Sequence, residues 1–145
     1  MMRECLVFIC LSVLAGCTPL REGDLLFHVV ERGNAITDVT PGMMDHVAIV
    51  VSRDSVVEAV GQGVKLTPVD SLRRQQGYYI IGKVREADRR QSVRNARRYL
   101  GRPYDYLYLT GDDAVYCSEL VQLSFVDRQG RPLFAPVPMS FHDAT

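Results

Sequence analysis

Cys117, His46 and Glu58 are the residues of this chain whose types and spacing could do chemistry together. A cysteine nucleophile needs a stabilised thiolate and a base within hydrogen-bond reach. Cys117 heads a run in which Leu120, Val121 and Phe125 recur at helical spacing, so a helix is predicted over residues 117–127 with the thiol at its start. There the unpaired first-turn amides and the helix dipole favour a thiolate, and the same amides suit the oxyanion formed when it attacks a carbonyl. Helical periodicity also sets Cys117 on the face it shares with Leu120 and Val121, turned toward a sheet rather than bulk water.

The base must come from three histidines. His28 continues a first strand, His142 lies in a polar tail, and His46 opens the apolar run His-Val-Ala-Ile-Val-Val just after Asp45, which makes it the best placed. By spacing alone a structural role for His46 is as good a reading as a catalytic one. Glu58 sits inside Val-Val-Glu-Ala-Val. A carboxylate there is costly to bury unless paired, so it is a candidate to orient the imidazole across a hairpin, with a solvent-facing strand position as the equal alternative. No recognisable metal-ligand pair exists among the scattered histidines, and no cofactor is expected.

The elements that would hold these residues follow from pattern. A strand is predicted from Gly23 to Val30, a loop over 31–44 carrying Gly33, Asn34, Pro41 and Gly42, and a hairpin of strands 46–51 and 56–60 around Ser52-Arg53-Asp54-Ser55. Strands at 64–67 and 78–84 flank a helical turn near 69–74, giving a largely antiparallel sheet. An amphipathic helix over 89–100 puts Val93, Ala96 and Leu100 on one face and leaves Arg90, Arg94, Arg97 and Arg98 available to the solvent side, and Gly101-Arg102-Pro103 ends it.

The N-terminus speaks of location. Residues 1–17 combine a short charged start, an apolar run too short to span a bilayer, and small residues, which is a secretory signal pattern. Its ending, Leu14-Ala15-Gly16-Cys17, resembles the bacterial lipobox, in which the cysteine is lipidated and becomes the first mature residue. The expected organisation is a signal peptide (1–16), a lipid anchor and short linker (17–22) and one domain (23–145). Of four cysteines, Cys5 and Cys10 would leave with the signal and Cys17 would carry lipid, so Cys117 alone remains as a thiol. Among 145 residues, 17 Lys and Arg balance 17 Asp and Glu, leaving no basic footprint for nucleic acid, and an apolar fraction of 47% suffices for one core.

Gly23-Asp24-Leu25-Leu26-Phe27, then Asp45-His46-Val47-Ala48-Ile49-Val50, Val57-Glu58-Ala59, Gly101-Arg102-Pro103-Tyr104-Asp105 and Tyr116-Cys117-Ser118-Glu119-Leu120-Val121 stand in the order of the signatures of YiiX-like enzymes. These are circularly permuted members of the NlpC-type papain-like amidases, in which the histidine strand precedes the cysteine helix. The resemblance runs from Gly23 to about Pro138 and implies an α+β, permuted papain-like fold: a mostly antiparallel sheet packed against helices that include the nucleophile helix. It implies Cys117 as nucleophile, His46 as base and Glu58 as third polar residue. Tyr104 resembles a tyrosine placed near the cysteine, with help at the oxyanion or a plain aromatic contact as its two readings. Asp24 could bind a substrate amine, or simply close a turn before a strand. Relatives cleave amide bonds in cell-wall peptides, and some act on acyl esters or amides of lipids. The expected partners are therefore peptide or acyl-amide substrates such as peptidoglycan fragments, and a membrane of the bacterial envelope reached through Cys17. A thioesterase or acyltransferase on lipids, or a catalytically silent envelope-binding module, are the competing expectations. Members of the family are expected to continue with ordered chain beyond Pro138, where this sequence has only seven further residues.

Overall fold

The computed structural model describes residues 19–30, 43–109, 111 and 113–136. The signal segment with Cys17, most of the expected 31–44 loop, and His142 lie outside the described residues. Five strands form one sheet: β1 (Asp24–Val29), β2 (Met44–Val50), β3 (Ser55–Val60), β4 (Gly63–Pro68) and β5 (Tyr78–Lys83). Their order is β4-β3-β2-β1-β5, and every neighbouring pair is antiparallel. Among the described residues three helices accompany the sheet, α1 (Val69–Leu72), α2 (Arg89–Arg98) and α3 (Cys117–Ser124).

Both faces of the sheet are covered, which explains why β2 and β3 read as nearly unbroken apolar runs rather than as alternating ones. Leu25, Val47, Ile49 and Val57 meet Val93, Ala96, Leu120 and Phe125 of and beside α2 and α3 on one face. Leu26, Ala48, Val50 and Val56 meet Val69, Leu72 and Tyr79 on the other. The period of two that sends successive side chains to opposite faces thus buries Val47 to Val50 of β2 and Val56 to Ala59 of β3 on both sides. The β2–β3 turn closes where Val51 N and Ser52 N both donate to Ser55 O, with the Ser52 and Ser55 hydroxyls on Asp54.

The helix ends differ from expectation for local reasons. At the start of α2, Asp88 caps the first turn by accepting from Gln91 N at 3.0 Å. At its end the last turn tightens, Tyr99 N donating to Ala96 O and Leu100 N to Arg97 O, before Gly101 turns the chain at φ +86°. α3 stops at Ser124 instead of reaching Asp127. Phe125 adopts an extended conformation, and its carbonyl accepts from Leu133 N while Val126 O accepts from Asp88 N, so neighbouring segments take the backbone groups the helix would have used. One glycine is required by packing: at Gly63, φ +100°, a Cβ would lie 2.6 Å from the Arg102 carbonyl where the chain leaving α2 crosses the β3–β4 turn.

Candidate active site

α3 lies on β2 and β3, and this packing brings its first residue to the sheet. Cys117 carries a free, partly buried thiol that packs against the helix-side core. Tyr116, extended at φ −101° and ψ 171°, occupies the cap position without a side-chain capping bond. The first-turn amides of α3 are therefore left without the oxygen that a Ser or Asp cap would supply.

β2 and β3 pair at Ile49 with Val57 and at Val50 with Val56, and toward Met44 the ladder stops. Continuing that register would set Glu58 opposite Ala48, one pleat from His46, a diagonal spacing that longer side chains span. They do: His46 Nε2 and Glu58 Oε2 are 2.8 Å apart, and Glu58 Oε1 accepts from Thr67 Oγ1 at 2.6 Å. Glu58 is 3% exposed, which removes its solvent-facing reading. With Nε2 engaged by Glu58, Nδ1 is the ring nitrogen left to meet the thiol.

The electrostatics agree with the geometry. Burial works against the His46 charge, yet hydrogen bonds to Cys117 and Glu58, with their negative charges, outweigh it and push the imidazolium from 6.5 up to about 9. Burial would raise the Glu58 carboxyl, but the hydrogen bonds from His46 and Thr67 hold it below its usual value. Because folding raises the His46 value, the charged ring stabilises the fold fully below pH 6.5, and that contribution is lost as pH rises through about 9. Glu58 contributes in the opposite sense: its support is present above the usual carboxyl range and fades as pH falls through the lowered value.

Tyr104 forms a one-residue bridge to Val115, next to the start of α3, and packs with Cys117 against the same core. Burial first, then a hydrogen bond with Tyr108 and the negative charge of Cys117, push its phenol above the usual range, so it stays a neutral O–H beside the thiol. The structure does not bring Asp24 to this group. It pairs with Lys83 at the far end of β1 from His28, the residue that faces His46 across the ladder. Four residues of strand separate the two levels, about 13 Å. Asp24 is 1% exposed and both oxygens are used, Oδ2 by Arg21 N at 3.0 Å and Oδ1 by Arg89 at 3.1 Å. Its carboxylate closes the turn before β1 and ties that turn to α2, which is the structural one of its two readings. His28 stands beside His46 in the sheet, but its nitrogens are taken by Asp45 at 2.6 Å and the Gln76 carbonyl at 2.7 Å.

Sequence reasoning missed Thr67 and Asp105. Thr67 pairs with Val56, so it shares a face with Glu58, a relation visible once Gly61-Gln62 is recognised as the β3–β4 turn. Asp105 is buried and accepts from Leu107 N and Leu109 N, shaping the loop that follows Tyr104. Its sequence signal was only an aspartate after Pro-Tyr, which many turns share. The assembled group is a thiol at a helix N-terminus, an imidazole held in one orientation by a buried carboxylate, and a neutral phenol nearby. That arrangement can remove a proton from the thiol, attack a carbonyl and return the proton to a leaving amine or alcohol.

Residues 19–135 match the profile of the permuted papain-like amidase enzymes, the YaeF/YiiX, C92 family. The chain is similar to the uncharacterised protein YiiX of Escherichia coli strain K12, with 32% identity over 130 residues that cover 82% of this chain and 64% of the relative. It is also similar to the crystal structure of yiiX from Escherichia coli O157:H7, with a TM-score of 0.61 and 31% identity, over 72% of this chain and 64% of that one. The chain thus spans about two thirds or slightly less of each relative, in both cases 64%. That crystal structure is described as a metalloprotein. Among the described residues of this chain, no three His, Cys, Asp or Glu side chains gather in a way that would hold an ion.

Proposed function

We propose, since the chain belongs to the permuted papain-like amidase family of YaeF and YiiX, that it is a thiol-dependent amidase with Cys117 as nucleophile and His46 as base. The observation that carries this reading is the His46–Glu58 pair at 2.8 Å, with the opposite edge of the ring on Cys117. Cys117 gives its proton to His46 and attacks the amide carbonyl. The oxyanion is met by first-turn amides of α3 and the Tyr104 hydroxyl, and the imidazolium then protonates the leaving amine. Water hydrolyses the acyl-enzyme with His46 again as base. Glu58 acts through His46, fixing its tautomer and favouring its charged form.

Cell-wall peptides are the substrate class we favour, reached from an envelope membrane through a lipid on Cys17. The support is the lipobox-like Leu14-Ala15-Gly16-Cys17 together with the amidase family. A second reading, hydrolysis or transfer of a lipid acyl group, is favoured by one feature: Tyr106, Leu107, Tyr108 and Leu109 are exposed apolar side chains in the segment that follows Tyr104. Incubating the soluble domain with peptidoglycan fragments and with acyl esters and amides separates the two. Release of amine from the peptides supports the first, and turnover of acyl compounds alone supports the second. Expressed in a bacterium, the full chain should partition into detergent with a mass gain on Cys17, and equal partitioning of Cys17→Ser would remove the anchor from the proposal.

The pH profile gives a sharper test. Hydrolysis needs the imidazolium to protonate the leaving group, so activity should fall as pH rises through about 9, while alkylation of Cys117, which needs no acid, should not fall there. Glu58→Gln should cost about ten- to a hundredfold in turnover and move that alkaline limb to lower pH. Full activity with an unmoved limb would return Glu58 to a purely structural part.

A further inference from the structure

We propose that the His28–Asp45 pair is a positioning device for His46, pinning an irregularity in β2 that aims the imidazole at Cys117 and Glu58. The inference rests on the reading of His46 as the base, and it begins from strand register. β1 pairs His28 with His46 and the next residue, Val29, with Met44, so Asp45 is an extra residue on β2 with no partner position in β1. A bulge of this kind bends its strand and re-aims the neighbouring side chain, and it interrupts the ladder that would otherwise hold the strand in place. His46 is the neighbour.

What braces the interrupted ladder, which resumes at Val29 and Met44, is a chain of side-chain contacts. Asp45 Oδ1 lies 2.6 Å from His28 Nδ1, and His28 Nε2 lies 2.7 Å from the Gln76 carbonyl. A carbonyl only accepts, so Nε2 carries a hydrogen, and a second hydrogen must lie between Nδ1 and the carboxylate. The ring is buried, with the Tyr79 ring centroid 4.9 Å away. Gly77 allows the closure: at φ +95°, a Cβ there would stand 2.4 Å from the Val29 carbonyl and 2.8 Å from His28 Nε2. Only glycine lets the segment before β5 approach closely enough for the Gln76 carbonyl to reach the ring. The contacts therefore run from that segment through His28 and Asp45 into the backbone that bears His46. Nothing in the proposed chemistry uses them otherwise, and a hydrogen-bonded His–Asp pair largely withdrawn from water beside an active-site strand is costly to keep unless it holds something.

The test is the titration of His46, followed by NMR in the full chain, with turnover measured in parallel. Asp45→Ala should lower the His46 value from about 9 toward 6.5, because the ring drifts from Glu58 and Cys117, and should cut turnover at least tenfold. Removing the Asp45 charge would itself lower a nearby imidazolium, so a second variant separates the causes. His28→Phe keeps the aromatic packing on Tyr79 and leaves the Asp45 charge bare. Plain electrostatics would then raise the His46 value, whereas loss of positioning lowers it. Asp45→Asn, which can still bond His28, should recover most of the turnover lost in Asp45→Ala. A folded His28→Phe protein whose His46 titrates at or above the wild-type value would overturn the proposal. If instead His46→Ala proves as active as wild type, the base assignment fails, while the titration of His46 in the Asp45 and His28 variants still decides whether the pair positions it.

Discussion

Cys117→Ala will leave the fold intact and remove at least about 10⁴-fold of the hydrolytic rate on whichever amide or ester the wild-type protein turns over. The substitution deletes one partly buried sulfur at the edge of the helix-side core, which costs about 1 kcal/mol, so loss of activity cannot be charged to unfolding. His46→Ala should approach the same loss, because the imidazole is the hydrogen-bond partner proposed to take the thiol's proton and return it. A reading that needs no substrate accompanies these rates. A low concentration of iodoacetamide should label Cys117 of the folded wild type faster than that of the unfolded chain, and His46→Ala should abolish the difference, with labelling followed by mass spectrometry. Equal labelling of wild type and His46→Ala would favour a silent binding module over an enzyme.

Phe125→Ala should be the most destabilising single truncation, at about 3–5 kcal/mol against the 5–15 kcal/mol total typical of a domain this size. Phe125 is fully buried where the chain leaves α3, in the cluster that joins α2, α3 and the sheet, and the Phe134 ring sits 6.0 Å away. Its loss opens a cavity under the helix that carries Cys117. Urea midpoints at constant slope measure the effect, with Leu107→Ala, at a site 74% exposed, as a control expected within about 0.5 kcal/mol of wild type. A Phe125→Ala midpoint as close to wild type as that of the control would mean the α3 end is not packed as described.

Local pattern made the elements legible. Among the described residues, the five strands and three helices overlap the segments where periodicity and turn residues place them, although β2 begins early at Met44 and α2 and α3 end short, because each element's spacing of apolar residues is a property of its own segment. The same locality explains what was left open. An apolar face reports that something covers it, not what does, so only the packing of α3 on β2 and β3 decided that Cys117, far along the chain, meets His46. Glu58 and Asp24 make the point in opposite directions. Each is a carboxylate at the level of a strand, and each had two readings that sequence could not separate. Glu58 ended buried under Thr67 and His46, and Asp24 ended buried under Arg21 and Arg89, at the other end of the sheet. A buried carboxylate is tolerable only with partners, and those partners are donated by segments distant in sequence, so its role is settled by tertiary contacts alone. The bulge at Asp45 belongs to the same class. Register depends on two strands at once, and a slip of one residue beside His46 has no signature in either strand by itself.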